Sequence, residues 1–240
     1  MPIGFRKVLD WQIPVLGEGE VHIWVLPLEK GGLLYESCEG VLTDQQLKRR
    51  DFLAFEQDKE AYVISQGSLT LLLSAYLKIA AKEVQLGRAQ KGKPFSVDNP
   101  TLQFNLSNSG GLCVVAFCLH HPVGIDIEKV RQLPDLEVLI DCNFTRVEKA
   151  DIRKSDNPLR RFFQFWTMKE SYLKAIGEGM RLTPENLEFS FDRSGIKLLS
   201  VNGVHDGDSW QFDSFTPSPS HVGTLTMSDQ IQKKTYYKVA

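Results

Sequence analysis

The sequence predicts an α+β protein of two similar α/β lobes, the first over residues 1–121 and the second over residues 122–240, with a ligand cleft between them. Two observations predict it. The order of elements recurs: each half runs strand, helical region, long helix, strands, although no residue-level repeat relates the halves. The second half also carries two stretches, Pro122–Val130 (PVGIDIEKV) and Phe162–Gly177 (FFQFWTMKESYLKAIG), in which charged residues recur at regular spacing among apolar ones.

In the first half, Glu20–Leu28 alternates as a strand, with Val21, Ile23 and Val25 on one face. Thr43-Asp44 supplies a helix cap ahead of a charged run from Gln45 to about Lys59. Glu60–Ala81 keeps apolar residues at helical spacing and predicts the central helix of this half. Lys91–Pro94 (KGKP) is punctuated as a turn by Gly92 and Pro94. Leu102–Leu106 and Leu112–Leu119 predict a hairpin joined by a turn over Ser107–Gly111 (SNSGG).

The second half restarts at Pro122 with a strand over Gly124–Glu128, a helical region over Asp135–Lys154 and a long helix over Phe162–Ile176. Strands are expected at Leu187–Phe191, Ile196–Val201, Trp210–Phe215 and Val222–Met227, followed by a polar, basic tail that frays.

Composition narrows the function classes. With a formal charge of −2 over 240 residues and a pI of about 6.2, no global field recruits nucleic acid or anionic membrane, so an anionic ligand must be held by local lysines and arginines. Cys38, Cys113, Cys118 and Cys142 show neither CxxC nor Cys/His ligand spacing, which fits reduced thiols in a cytoplasmic protein. The N-terminal MPIGFRKVLDWQIP has no apolar core of signal-peptide length, and the longer apolar runs are interrupted by Ser, Gly or Lys.

On a strand, Ile125 and Ile127 face one way and Asp126 and Glu128 the other, with the two carboxylates roughly 7 Å apart at the Cα by strand rise. On a helix, Phe162, Phe165, Trp166, Leu173 and Ile176 form one apolar stripe. Lys169 falls inside it, where burial is costly unless the ammonium meets an anion or reaches solvent. Glu170 and Lys174 lie one turn apart along its edge. Taken singly, an acidic strand face also describes a solvated face, and a Glu–Lys pair at this spacing also describes a surface ion pair. Taken together, Asp126, Glu128 and Glu170 with Lys169 and Lys174 predict a metal and phosphate site. Hard oxygen ligands without thiolate or imidazole favour Mg²⁺ over zinc, with Mn²⁺ a working substitute. Magnesium commonly shares its shell with substrate phosphates, so a diphosphate-bearing substrate is expected.

GIDIEK followed by FWTMKESYLKAIG resembles the paired signature of the 4′-phosphopantetheinyl transferases, in their large, pseudo-dimeric, surfactin-synthetase-activating form. The similarity runs from about Glu20 to about Phe191 and includes Gly92-Lys93-Pro94 and Phe104–Gly110 (FNLSNSG). It implies transfer of the 4′-phosphopantetheine arm of coenzyme A to a serine hydroxyl of an apo acyl, peptidyl or polyketide carrier protein, releasing 3′,5′-ADP. By motif position, Asp126, Glu128 and Glu170 would hold Mg²⁺, Glu170 would take the serine proton and Lys174 would neutralise charge on the diphosphate. Coenzyme A would be bound by Arg49, Lys91, Lys93, Pro94, Ser107, Asn108, Lys169 and Lys174. A cytoplasmic monomer without nucleic-acid or membrane partners is the implied form.

The chain departs from the family pattern at three places. Asn108 stands where a phosphate-contacting histidine is usual, Gln66 and Thr70 where arginine is frequent, and Cys142-Asn143-Phe144 where an Arg-Phe-Phe run is common. Each lost charge-assisted hydrogen bond is worth roughly 1.5–3 kcal/mol. Weaker coenzyme A binding is expected unless Arg49, Arg50, Arg88 or Lys91 compensates. The alternative is a divergent relative that binds coenzyme A or a carrier protein without catalysing transfer.

Overall fold

The computed structural model describes residues 6–8, 13–28, 33–177, 182–192, 195–204 and 209–239. Most of the stretch read for a targeting signal lies outside them. The chain runs β1 (Arg6–Val8), β2 (Glu20–Pro27), α1 (Leu33–Glu39), α2 (Asp44–Asp51), α3 (Glu56–Leu77), β3 (Leu86–Arg88), β4 (Pro94–Ser96), β5 (Leu102–Ser109) and β6 (Leu112–Leu119). It continues through β7 (Val123–Lys129), α4 (Leu136–Asn143), α5 (Arg146–Lys154), α6 (Pro158–Ile176), β8 (Leu187–Asp192), β9 (Gly195–Val201), β10 (Trp210–Phe215), β11 (His221–Ser228) and β12 (Lys233–Val239). This is the pseudo-duplicated α+β arrangement expected: short helices and one long helix follow β2 in the first half and β7 in the second.

Local chemistry explains the helix boundaries. Thr43 caps α2, its hydroxyl accepting the Gln46 N–H while the Gln46 side chain accepts the Thr43 N–H. α2 stops at Asp51, and α3 begins at Glu56, so the charged run expected to continue to Lys59 is two helices. The helical region at 135–154 likewise divides, because Thr145 opens α5 with a second reciprocal cap to Glu148. Gly177 ends α6 in a left-handed conformation (φ 69°), its N–H returning to the Leu173 carbonyl.

Two sheets carry the site. The first has the order β1-β12-β2-β6-β5 and the second the order β10-β11-β7, while β3–β4 and β8–β9 form separate hairpins. One expectation is corrected here: residues 233–239 do not fray but form β12, parallel to both β1 and β2 and placed between them. Tyr237 and Thr235 turn inward from this polar strand. A second correction concerns the β5–β6 hairpin. Ser107, Asn108 and Ser109 extend β5, and the turn is the pair Gly110-Gly111, both at positive φ (55° and 88°).

Among the described residues, three apolar cores hold these layers. α3 packs Ile64, Leu72 and Leu73 on the Trp24, Val115 and Phe117 face of the first sheet. The opposite face of that sheet (Val21, Ile23, Val25, Val114, Ala116) meets Ile125, Ile127, Leu225 and Met227 of the second. Thus β2 and β7 are buried through the same layer, and the two halves join by sheet-on-sheet packing. α6 closes the third core with Phe162, Phe165, Met168 and Tyr172 against α4, α5, β8 and β9.

Candidate active site

The alternation of β7 turns Ile125 and Ile127 into the inter-sheet core and Asp126 and Glu128 toward α6. α6 approaches because Gly124 has no side chain: a Cβ there would collide with the Ser171 carbonyl and the Ala175 N–H. The helix face above it is small and polar. Thr167 pairs with Thr224 at 3.0 Å and Ser171 with Thr226 at 2.8 Å, which brings the helix close to β11 as well. Glu170 and Lys174, one turn apart, then project beside Asp126.

Asp126, Glu128, Glu170 and Lys174 line one cleft of about 410 Å³ together with Leu106, Ser107, Asn108 and Trp166. Lys174 Nζ donates to Asp126 Oδ1 at 2.6 Å, and Ser107 Oγ donates to the same oxygen at 2.7 Å. Asp126 is buried, and its other oxygen, Oδ2, has no hydrogen-bond partner among the described residues. Ser109 Oγ donates to Glu128 Oε2 at 2.6 Å while accepting the Lys129 N–H at 3.1 Å, so the backbone orients this hydroxyl toward the acid. Arg131 reaches the same Glu128 oxygen at 3.3 Å. Burial raises the Glu170 carboxyl above the ordinary range, Asp126 and Glu128 raise it further, and Lys174 opposes them.

A larger cleft of about 610 Å³ opens on the other side of Glu170 and Lys174, lined by Lys91, Lys93, Pro94, Asn105, Leu173, Gly177, Leu182, Thr183 and Pro184. Glu170 and Lys174 belong to both clefts and stand at their junction. Lys93 Nζ donates to the carbonyls of Val123 (3.1 Å) and Ala175 (3.0 Å), tying the β3–β4 turn to β7 and the end of α6. Burial lowers its pKa to about 8.

Of the expected site residues, Asp126, Glu128, Glu170, Lys174, Ser107 and Asn108 meet in the smaller cleft, and Lys91, Lys93 and Pro94 in the larger. Arg49 lines neither. It lies on α2 with its guanidinium 6.0 Å from the Tyr62 ring centre. Arg50 is engaged with Glu39 and Asp51, Arg88 donates to the Gly92 carbonyl, and Thr70 donates to the Gln66 carbonyl.

Lys169, expected at a coenzyme A phosphate, lines neither cleft. Its side chain is 0% exposed, and the anion it meets is Glu148, at 2.6 Å. The apolar stripe had indicated its inward direction, and the partner comes from α5. Ser107, expected at a phosphate, spends its hydrogen on Asp126. Trp166, on the apolar stripe, is partly buried against the third core and also lines the acidic cleft. Ser109 and Glu148 were missed. Ser107-x-Ser109 opposite Asp126-x-Glu128 is a period-two signal for the first, and Thr145-x-x-Glu148 is a capping signal for the second.

The donor set fits a divalent cation. Three carboxylates face one lysine in the smaller cleft, and one buried carboxylate oxygen is unsatisfied. The acids do not form a ready-made cage, since among the described residues no group of three or more His, Cys, Asp or Glu is arranged to hold a metal. Asp126 and Glu128 are instead held by Lys174, Arg131 and the two serines.

In this two-lobed α+β fold, acids and a lysine converge between a polar cleft and a larger one. The family described as the 4′-phosphopantetheinyl transferase superfamily matches residues 122–226, and 4′-phosphopantetheinyl transferase, N-terminal, matches residues 36–120. The chain is 31% identical over 166 residues to the 4′-phosphopantetheinyl transferase HetI of Nostoc sp. PCC 7120, covering 67% of this chain and 70% of that one. It is 30% identical to a phosphopantetheinyl transferase of Thraustochytrium sp., covering 70% and 64% respectively. With the 4′-phosphopantetheinyl transferase Sfp of Bacillus subtilis the identity is 28%, covering 66% and 71%. The chain belongs to the 4′-phosphopantetheinyl transferase superfamily, in its Sfp-like form, and is a transferase.

Proposed function

We propose that the enzyme transfers the 4′-phosphopantetheine group of coenzyme A to a serine hydroxyl of an apo acyl, peptidyl or polyketide carrier protein, releasing 3′,5′-ADP. The observation that carries this reading is the convergence of Asp126, Glu128, Glu170 and Lys174 at the junction of two clefts, with a buried, unsatisfied oxygen on Asp126. Asp126, Glu128 and Glu170 are the residues that would hold Mg²⁺, or Mn²⁺ in its place. Bound there, the ion supplies positive charge against the coenzyme A diphosphate.

Glu170 is the proposed base. Standing at the junction of the two clefts, it takes the proton of the carrier serine. The serine oxygen forms the new bond to phosphorus, the diphosphate bridge breaks, and 3′,5′-ADP leaves with the bridging electron pair. Lys174 stabilises charge on the diphosphate, which is the main requirement of such transfers. Lys91, Lys93 and Pro94 would line coenzyme A in the larger cleft, and Ser107 and Asn108 would border it in the smaller. Lys169 and Arg49 are left out of this set by their placement.

The lobes are proposed to meet near residues 121–122, with β12 returning to the first lobe's sheet. A cytoplasmic monomer is the proposed state. Cys38, Cys113, Cys118 and Cys142 are free thiols, as in a reducing compartment, and no helix among the described residues is long and apolar enough to cross a membrane.

The test is incubation with coenzyme A, Mg²⁺ and purified apo-carrier proteins, read by intact mass. Addition of one phosphopantetheine group with release of 3′,5′-ADP is expected. Tight coenzyme A binding without transfer to any carrier class would overturn the reading.

A further inference from the structure

We propose that Glu148 and Lys169 form a buried latch that positions Glu170 and the Thr183–Pro184 wall of the larger cleft, and that neither residue touches substrate. What the latch positions rests on the transferase reading; the latch itself does not.

Both side chains are 0% exposed, and Lys169 Nζ lies 2.6 Å from Glu148 Oε2. The same ammonium donates to the carbonyls of Pro184 (2.8 Å), Leu187 (2.8 Å) and Asn143 (3.2 Å), and it lies 5.0 Å from the Phe144 ring centre. An ammonium has three N–H bonds, and four oxygens surround this one, so no donor remains for a phosphate. Glu148 is equally committed: Oε2 accepts the Thr145 N–H and Oε1 the Phe189 N–H, each at 2.8 Å.

Desolvation pushes the Glu148 carboxyl up and the Lys169 ammonium down, and their mutual attraction opposes both shifts. The contacts explain how two charges survive in an apolar core, since each has its lone pairs or protons engaged. They also join five elements at one point: the end of α4, the start of α5, α6, the 3-10 turn Pro184–Asn186 and β8.

Two of those elements bear on the clefts. The residue after Lys169 is Glu170, at the junction, and Pro184, whose carbonyl accepts from Lys169, lines the larger cleft beside Thr183. The latch therefore sets the spacing between the helix that carries the proposed base and the wall across the cleft. A displacement of about 1 Å at such a point costs on the order of a hundredfold in rate.

Lys169→Met and Glu148→Gln are each expected to lower the melting temperature and to reduce kcat by about 10- to 100-fold, with the KM for coenzyme A changed less than about threefold. Each leaves an uncompensated buried charge, so the double variant should recover at least about tenfold in kcat over Lys169→Met. A coenzyme A KM raised more than about tenfold by Lys169→Met but not by Glu148→Gln, with no recovery in the double variant, would overturn the latch and assign Lys169 to phosphate. The wild-type protein supplies a second measurement if the variants do not fold. On brief treatment with an amine-reactive reagent, Lys169 is expected to stay unmodified with or without coenzyme A. Modification that coenzyme A suppresses would overturn the proposal. Labelling and unfolding need no turnover, so failure of the transferase reading and failure of the latch give separate results.

Discussion

The ammonium of Lys174 on α6 lies 2.6 Å from Asp126 Oδ1 on β7, while Oδ2 of the same carboxylate is buried with no partner among the described residues. One acid is thus half-satisfied by a lysine that belongs equally to the neighbouring cleft. The pair marks where an anionic group and a cation would meet, and the residues around it give the following expectations.

Glu170→Gln keeps the volume of the side chain but removes its capacity to accept a proton. Turnover should fall by about 10²–10⁴-fold. Folding should be no weaker than in the parent at neutral pH, because burial and Asp126 disfavour the charged form of Glu170 in the native state. Carrier-protein mass addition measures the first and urea unfolding the second; unchanged turnover would remove Glu170 as base.

Ser107 and Ser109 donate to Asp126 and Glu128 respectively, as outer partners that orient proposed cation ligands. Replacing either by Ala should weaken divalent-ion affinity by about 10- to 100-fold while leaving the fold in place. Mn²⁺ titration followed by electron paramagnetic resonance reads the affinity directly. Ser109→Thr, which keeps the hydroxyl, should retain most of it.

Gly124→Ala places a methyl group against the backbone of α6 at Ser171 and Ala175, where no flexible side chain can give way. Overpacking of this kind costs typically 1–3 kcal/mol, and backbone contact puts it at the upper end. A matching drop in the urea midpoint, with turnover lost as Glu170 moves from Asp126, is expected. An unchanged midpoint would mean that α6 does not depend on this contact.

Lys93 gives a pH signature of defined sign. Its pKa falls from the ordinary 10.5 to about 8 through burial, so between those values the unfolded chain holds a proton that the folded chain has released. Stability from this group therefore rises with pH from about 8 to 10.5, and below about 8 its burial is a constant cost. Lys93→Met should remove that rise. The difference between wild-type and variant unfolding free energies, measured across pH 7–11, isolates it from the tyrosines and cysteines that titrate in the same range.

Much of the site was readable from local pattern. The alternation in GIDIE put two acids on one side of a strand, helical spacing put Glu170 and Lys174 one turn apart, and Thr43 announced α2. These are consequences of covalent geometry and hydrogen bonding within a few residues, so the sequence states them directly.

Long-range partners were another matter. That Lys169 points inward follows from its stripe, but that it meets Glu148 rather than a ligand depends on α5 folding across α6. The tail Lys233–Val239 looks polar and exposed in isolation, and becomes a strand because β1 and β2 flank it with backbone donors and acceptors that polarity does not encode. Ser107 and Asn108 read as turn residues until the Gly110-Gly111 pair, able to hold two positive φ angles, places the turn further on. By itself the sequence determined which chemical groups the enzyme has and how neighbours along each element are spaced. Only the tertiary structure decided which charges face one another and which are spent inside the fold, because those pairings depend on contacts between distant segments that no local periodicity specifies.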